Sequence, residues 1–511
     1  MKRNRKSGAA CALLLALLLA LCSGCGAEKA DGPVEIQVYF TGCNVTYDAD
    51  VMEELNAYLE ETIGVHMKPI WGTWGDFGTN SMMALQGGDD IDIYFTSSWT
   101  SDEYNRFAKR GYWLRLDDPE NNLLEAYASE LLDTLPPALT QGLVADGAQG
   151  KGIYAFPSYK GVSQTLCWDV NMEKFTAMGY TAEDLETLDY YTLGPILQRS
   201  KEVFGADFYP IVCNVVTMER MVSGLTAVTG SSETPRLFSC FLNTADNSQP
   251  NETYGVWIYN KAETPEFERY VHQSREYYLK GYIDPAMGNT NQATSTISSK
   301  RTAGDYLFNV VAAGLNSAVQ ASKDRGYAVE MPVVLGPYVD TTSTQMSLMA
   351  VSVYSKHPDK AVALMNLFNT DAKAYTLLSY GLEGVHYVKN TDGLVEFTEQ
   401  RSRYMPNTGG IGNDMLLPET REQGAGWTEA VMEYERNAAQ TPQLGFAFDS
   451  AAVETEMGAL ANVDAEYLIS LCAGTVDPDE KLPEYREKLK KAGIEKVVAE
   501  ANLQLEAYLA F

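Results

Sequence analysis

Beyond residue 33 the apolar positions recur with two alternating periods. Val34 to Phe40 (VEIQVYF) alternates in twos and is rich in β-branched and aromatic residues, which predicts a strand. Val51, Leu55, Leu59 and Ile63 then fall four apart, which predicts an amphipathic helix over Asp50 to Ile63 with Asp48 or Asp50 at its start. Val65 to Trp71 reads as a second strand, Phe77 to Leu85 as a helix stopped by Gly87-Gly88, and Ile91 to Phe95 as a third strand. Strand and helix trading places about every 30 residues predicts a parallel α/β sheet.

A second series follows the first. Ile153 to Pro157, Gln164 to Trp168, Phe208 to Cys213, Val329 to Leu335 and Met346 to Tyr354 read as strands or apolar runs. Helices are expected near Met172 to Met178, from Pro265 to Lys280 and from Pro358 to Phe368, with a polar excursion at Asn243 to Tyr254. The last ninety or so residues read as mostly helical, because Ile494, Val497, Val498, Ala501, Leu505 and Leu509 form a 3.6-period stripe behind a helix-stopping Gly493. The expectation is an α/β protein of two lobes with a helical finish.

The start of the chain follows other rules. Lys2, Arg3, Arg5 and Lys6 precede the apolar run Ala9–Leu21, whose thirteen residues reach about 20 Å as a helix, short of a roughly 30 Å hydrocarbon core. A basic start, a short apolar stretch and small residues at the cut make a secretory signal peptide. Ser23-Gly24-Cys25 resembles a bacterial lipobox, with Cys22 standing where an aliphatic residue is usual. The Cys22/Cys25 spacing would also suit a redox or zinc site, but no second ligand pair follows. Residues 1–24 are therefore expected to be removed, Cys25 to carry lipid, and 25–33 to form a tether.

Charge narrows the partners. The formal charge is −29, and removing residues 1–24 takes away four basic residues and no acidic one, leaving 35 against 68, or −33. That balance argues against nucleic acid and against electrostatic adhesion to anionic membranes. The five cysteines after Cys25 (Cys43, Cys167, Cys213, Cys240 and Cys472) lack framework spacing and read mostly as buried small hydrophobes.

Several segments are similar to the extracellular solute-binding proteins of ABC sugar importers (family 1 type). They are GGDDIDIYFTSSW (Gly87 to Trp99), GKGIYAFPSYKG (Gly150 to Gly161), GYIDPAM (Gly281 to Met287) and Ser355 to Val388. The stretch Leu444 to Leu505 resembles the tail domain of one lipoprotein branch of that family. The resemblance implies a type II, periplasmic-binding-protein-like α/β fold whose two lobes close on a ligand about a hinge. By analogy, 34–158 plus 337–385 form the first lobe and 159–336 plus 386–511 the second, including a helical tail over 430–511. The hinge crossings are expected near Pro157-Ser158 and Pro332 to Pro337. The implied role is a monomer, lipid-anchored on the outer face of the cytoplasmic membrane, that hands a carbohydrate to ABC permease subunits without a cofactor. A peptide or other polar solute, or a sensing or scaffolding role, remains the alternative.

Ligands of open α/β sheets lie beyond the carboxyl ends of strands, and a sugar wants aromatic faces beside hydroxyls, amides and carboxylates. Thr41 and Asn44 follow the first strand; Ser97, Ser98 and Trp99 follow the third. Tyr159 lies just past the first expected crossing, and Asp305 and Tyr306 fall where the family commonly places an aromatic against the sugar. Each has a structural alternative: Trp99 as core or hinge packing, Asp305 as a helix cap. Glu383, His386 and Tyr387 read as a structural turn rather than metal ligands. No HExxH, Walker loop, nucleophile elbow or dinucleotide fingerprint occurs in the sequence. A carboxylate pair for glycoside hydrolysis is the enzymatic alternative, and no catalytic residue is assigned.

Overall fold

The computed structural model describes residues 32–41, 46–73, 75–100, 104–227, 238–241, 253–315 and 317–510. The expected leader, Cys25 and Asn44 lie outside these residues. Among the described residues, no helix is long and apolar enough to cross a membrane.

The strands that build the two lobes are, in chain order, β1 (Val34–Thr41), β2 (Val65–Gly72), β3 (Ile93–Thr96), β4 (Ala155–Pro157), β5 (Gln164–Asn171), β6 (Phe308–Ala312), β7 (Val333–Val339), β8 (Leu348–Val351) and β9 (Ala439–Gln440). The first sheet runs β2-β1-β3-β8-β4 and the second β6-β5-β7-β9. β1 pairs in parallel with β2 and β3, as the alternating pattern predicts. β8 is antiparallel to both β3 and β4, so the sheet is mixed rather than parallel throughout. In the second sheet, β5 is antiparallel to β6 and β7.

Each sheet has its own apolar core. The first gathers Ile36, Val38, Leu55, Tyr94, Leu348, Val362 and Phe368, and the second Trp168, Val170, Phe308, Leu335, Leu460, Val497 and Leu505. The helix Ala49–Ile63 shows how the pattern becomes structure. Asp48 caps its start by accepting from the Asp50 amide at 3.0 Å, Leu55 and Leu59 face the sheet, and left-handed Gly64 ends it. The tail helices Glu454–Cys472, Pro478–Ala492 and Ile494–Leu509 pack their stripe into the second core. Cys167, Cys213 and Cys472 are buried free thiols, as expected, and burial raises the pKa of all three.

Two expectations about the lobes need correction. Pro332 to Pro337 is not a crossing, because β7 runs through it as a strand of the second sheet, and the chain crosses afterwards at 340–347. Residues 386–417 pack on the first lobe, not the second. Thr46 bridges to Met405, the Tyr404 hydroxyl donates to the Leu378 carbonyl at 2.8 Å, and Ile411 enters the first core. His386 is fully buried in a turn: its Nδ1 accepts from the Leu382 amide, and its Nε2 lies 3.4 Å from Asp48 Oδ2.

Candidate functional site

Strand register locates the cleft. Thr96, Leu348 and Pro157 stand side by side across β3, β8 and β4, and the chain leaves for the second lobe after Pro157 and returns at Leu348. The edge of the first sheet that carries the carboxyl ends of β1 and β3 is therefore the edge facing the hinge, where a ligand of such a sheet belongs.

Along that edge the structure gathers Thr41, Ser97, Ser98, Trp99 and Tyr159. Ser97 is a turn-former: its hydroxyl accepts from the amides of Trp99 and Thr100, each at 3.1 Å, and aims the following residues outward. Ser98 ties the loop to the second crossing, donating from Oγ to the Thr342 carbonyl at 2.9 Å and from its amide to the Gln345 carbonyl at 2.8 Å. The Trp99 indole donates to the Met346 carbonyl at 2.8 Å and meets Phe95 edge-on with ring centroids 6.3 Å apart, so the ring is held in place while part of it stays exposed. Thr41 is buried, its hydroxyl without a partner and its carbonyl accepting from the Asn407 side chain. Tyr159 is buried too, bonded through its amide to the Gly412 carbonyl at 2.9 Å, and burial raises its hydroxyl pKa to about 12. Tyr159 and Thr41 build the edge; Trp99 projects from it.

Sequence reasoning missed other exposed apolar residues along this edge: Met346, whose carbonyl holds the Trp99 indole, and Tyr47 and Met405, joined by the bridge from Thr46 to Met405, are 48%, 47% and 49% exposed, and Trp99 is 37% exposed. Thr46, Tyr47, Asp48, Asp50 and Arg403 line an open hollow of about 480 Å³. Asp48 anchors its floor through an ion pair with Arg403 at 2.9 Å. Tyr47 lies only three residues past Asn44 and was reachable by the same rule about strand ends. Met405 and Asn407 have no local signal, since they reach β1 from more than 350 residues away.

Asp305 and Tyr306 are not at this edge. They precede β6, whose first residue pairs with Val170, whereas the crossing side of β5 is Gln164, six residues or about 20 Å away. Tyr306 is fully buried, donating to Asp169 Oδ1 at 2.8 Å beside the Arg325 guanidinium, and Asp305 pairs with Lys300 at 2.9 Å. Tyr306→Phe should cost about 1 kcal/mol in chemical denaturation and leave ligand affinity unchanged; a tenfold weaker Kd would return Tyr306 to the site. Among the described residues, no group of three or more His, Cys, Asp or Glu side chains could hold a metal ion.

The arrangement of two cores, three crossings and a hinge-facing edge has relatives. Residues 442–510 match a family model described as a domain of unknown function, DUF3502. Over its full length the chain is 26% identical to a carbohydrate ABC transporter substrate-binding protein of Streptococcus pneumoniae, covering 99% of that protein. It is also similar to the crystal structure of the N-glycan transport solute binding protein NgtS from the same organism, with a TM-score of 0.77 at 23% identity over 93% of this chain and 99% of the other. The NgtS complex with Man1GlcNAc superposes with a TM-score of 0.70 at 23% identity, over 93% of this chain and all of that one. The chain thus has the two-lobed α/β fold of solute-binding proteins and resembles, from end to end, the substrate-binding protein of a carbohydrate importer.

Proposed function

We propose that this protein captures a saccharide between its lobes and delivers it to an ABC permease, acting as a binding protein rather than an enzyme. The observation that carries the reading is the partly exposed apolar side chains of Tyr47, Trp99, Met346 and Met405 along the hinge-facing edge, with the Asp48–Arg403 pair beside Tyr47. Aromatic and thioether faces cover the C–H face of a sugar ring, and the polar groups between them fix its hydroxyls. The full-length relative named for carbohydrate import and the NgtS complex with Man1GlcNAc support the same ligand class. Closing on the ligand is a population shift between open and closed forms about the crossings 158–163, 340–347 and 418–438.

Trp99→Ala tests the assignment. Its ring is positioned by its own indole hydrogen bond, so truncation removes a platform without opening the core. The expected loss is about 2 kcal/mol, roughly thirtyfold in Kd, measured by calorimetry on a variant that melts like the parent. An unchanged Kd would remove Trp99 from the site. The protein is held outside the cytoplasmic membrane as a monomer by lipid on Cys25. Cys25→Ser should abolish labelling by an alkyne fatty acid in cells, and a labelled variant would refute the anchor.

A further inference from the structure

A separate pocket of about 300 Å³ lies beside the first crossing. Lys160, Ser379, Arg401 and Asp414 line it together with Trp427 and Thr428, from the first turn of the helix Trp427–Arg436. The helix is tied to the crossing by Glu435, which accepts from the amides of Val162 and Ser163 at 2.8 and 2.9 Å.

Its charges do not balance. Lys160 donates to Asp414 and to the Tyr375 hydroxyl. The Arg401 guanidinium donates only to carbonyls, those of Ser379 at 2.9 Å, Tyr380 at 3.2 Å and Tyr404 at 2.7 Å. The pocket lining thus carries two cations, Lys160 and Arg401, and one carboxylate, Asp414, while Glu419 just behind it accepts from the amides of Gly426 and Thr428, each at 2.8 Å. Burial lowers the pKa of both cations, and for Lys160 it does so in spite of Asp414. Ser379 is 4% exposed and lines the pocket, with its hydroxyl beside that of Tyr375.

An anion entering here would supply the missing negative charge and accept from Ser379. A small carboxylate alone would leave most of the volume and Trp427 uncovered. The size is at the low end for ligand pockets and suits a single ring. We propose that this pocket is a subsite for an acidic sugar ring, a hexuronate, either free or as one residue of the captured saccharide. The inference rests on the reading of the protein as a saccharide-binding protein.

The test is calorimetry and thermal melting of the whole protein with glucuronate, glucose, acetate, a uronate-containing disaccharide and a panel of neutral oligosaccharides. Glucuronate should bind and raise the melting temperature by a few degrees, while glucose and acetate at the same concentration do not. Trp427→Ala should weaken glucuronate at least tenfold, and Ser379→Ala should weaken it too. Trp99→Ala should leave free glucuronate unaffected. A disaccharide that binds more tightly than glucuronate and is weakened by both Trp427→Ala and Trp99→Ala identifies one residue of a longer ligand. Equal affinity with no effect of Trp99→Ala identifies a free uronate. Glucose or acetate binding as well as glucuronate, or a glucuronate response that survives both pocket variants, overturns the subsite. Neutral oligosaccharides that bind through Trp99 while glucuronate stays silent would overturn it and leave the proposed function standing. Silence from every saccharide would end both.

Discussion

Lys261→Met should destabilise the protein by about 3–5 kcal/mol at pH 7. Lys261 pairs with Glu219 at 2.8 Å, and the Glu219 side chain is 0% exposed. The second carboxylate oxygen of Glu219 has no hydrogen bond, so the ammonium is its main compensation. The pair sits where the helix Val215–Ser223 and the turn before Pro265 meet the tail, close enough for both charges to act on the Cys472 thiol. Removing the lysine leaves a buried charge that water cannot reach. Urea denaturation, read as a midpoint shift at constant slope, measures the loss. Glu219→Gln in the Lys261→Met background should recover part of the loss; a Lys261→Met variant that unfolds at the parent's midpoint would show the pair is not holding the tail junction.

Gly412→Ala should cost about 2–4 kcal/mol and weaken ligand binding with it. Gly412 has φ +81°, and a Cβ there would stand 2.2 Å from the ring of Tyr375. That ring cannot retreat: it is fully buried, and its hydroxyl lies within hydrogen-bond reach of the Ile411 carbonyl at 2.9 Å and of Asp414 at 2.7 Å, with one proton to donate between them. Relief must come from the backbone, which carries the carbonyl that receives the Tyr159 amide and the loop that holds Met405 and Asn407 at the cleft edge. Gly384 is the control. Its φ is also +81°, but a Cβ there meets nothing within 4 Å, so Gly384→Ala should show the conformational cost alone, about 1 kcal/mol. Thermal melts and calorimetry on the two variants separate the terms, and equal losses would mean that Tyr375 gives way.

What the sequence made legible follows from how local each signal is. The helix Ala49–Ile63 and its Asp48 cap, the strands β1 and β2 and the last tail helix depend on neighbours within a few residues, and the pattern finds them. The second crossing was misread because prolines interrupt β7. Pro337 lacks an amide, yet the strand accommodates it where its register against β5 shifts between Leu335 and Tyr338. The place of Trp99 on the hinge-facing edge was legible because it follows a strand that ends there. Tyr306 was not, because it precedes its strand, and an aromatic in sequence does not say which end of a sheet it lies on. Asn407 and Met405 join the edge only through tertiary contacts with β1 and Thr46.

The central claim is saccharide capture, and a thermal-shift screen of the purified protein against mono- and oligosaccharides, peptides and metal ions tests it most directly. A ligand at 100 times its Kd stabilises the folded state by about 2.7 kcal/mol, which should raise the melting temperature by a few degrees. The expected result is a rise with one class of saccharide, no product formed, and loss of the rise in Trp99→Ala. A response to peptides alone, or to nothing in the panel, would contradict it.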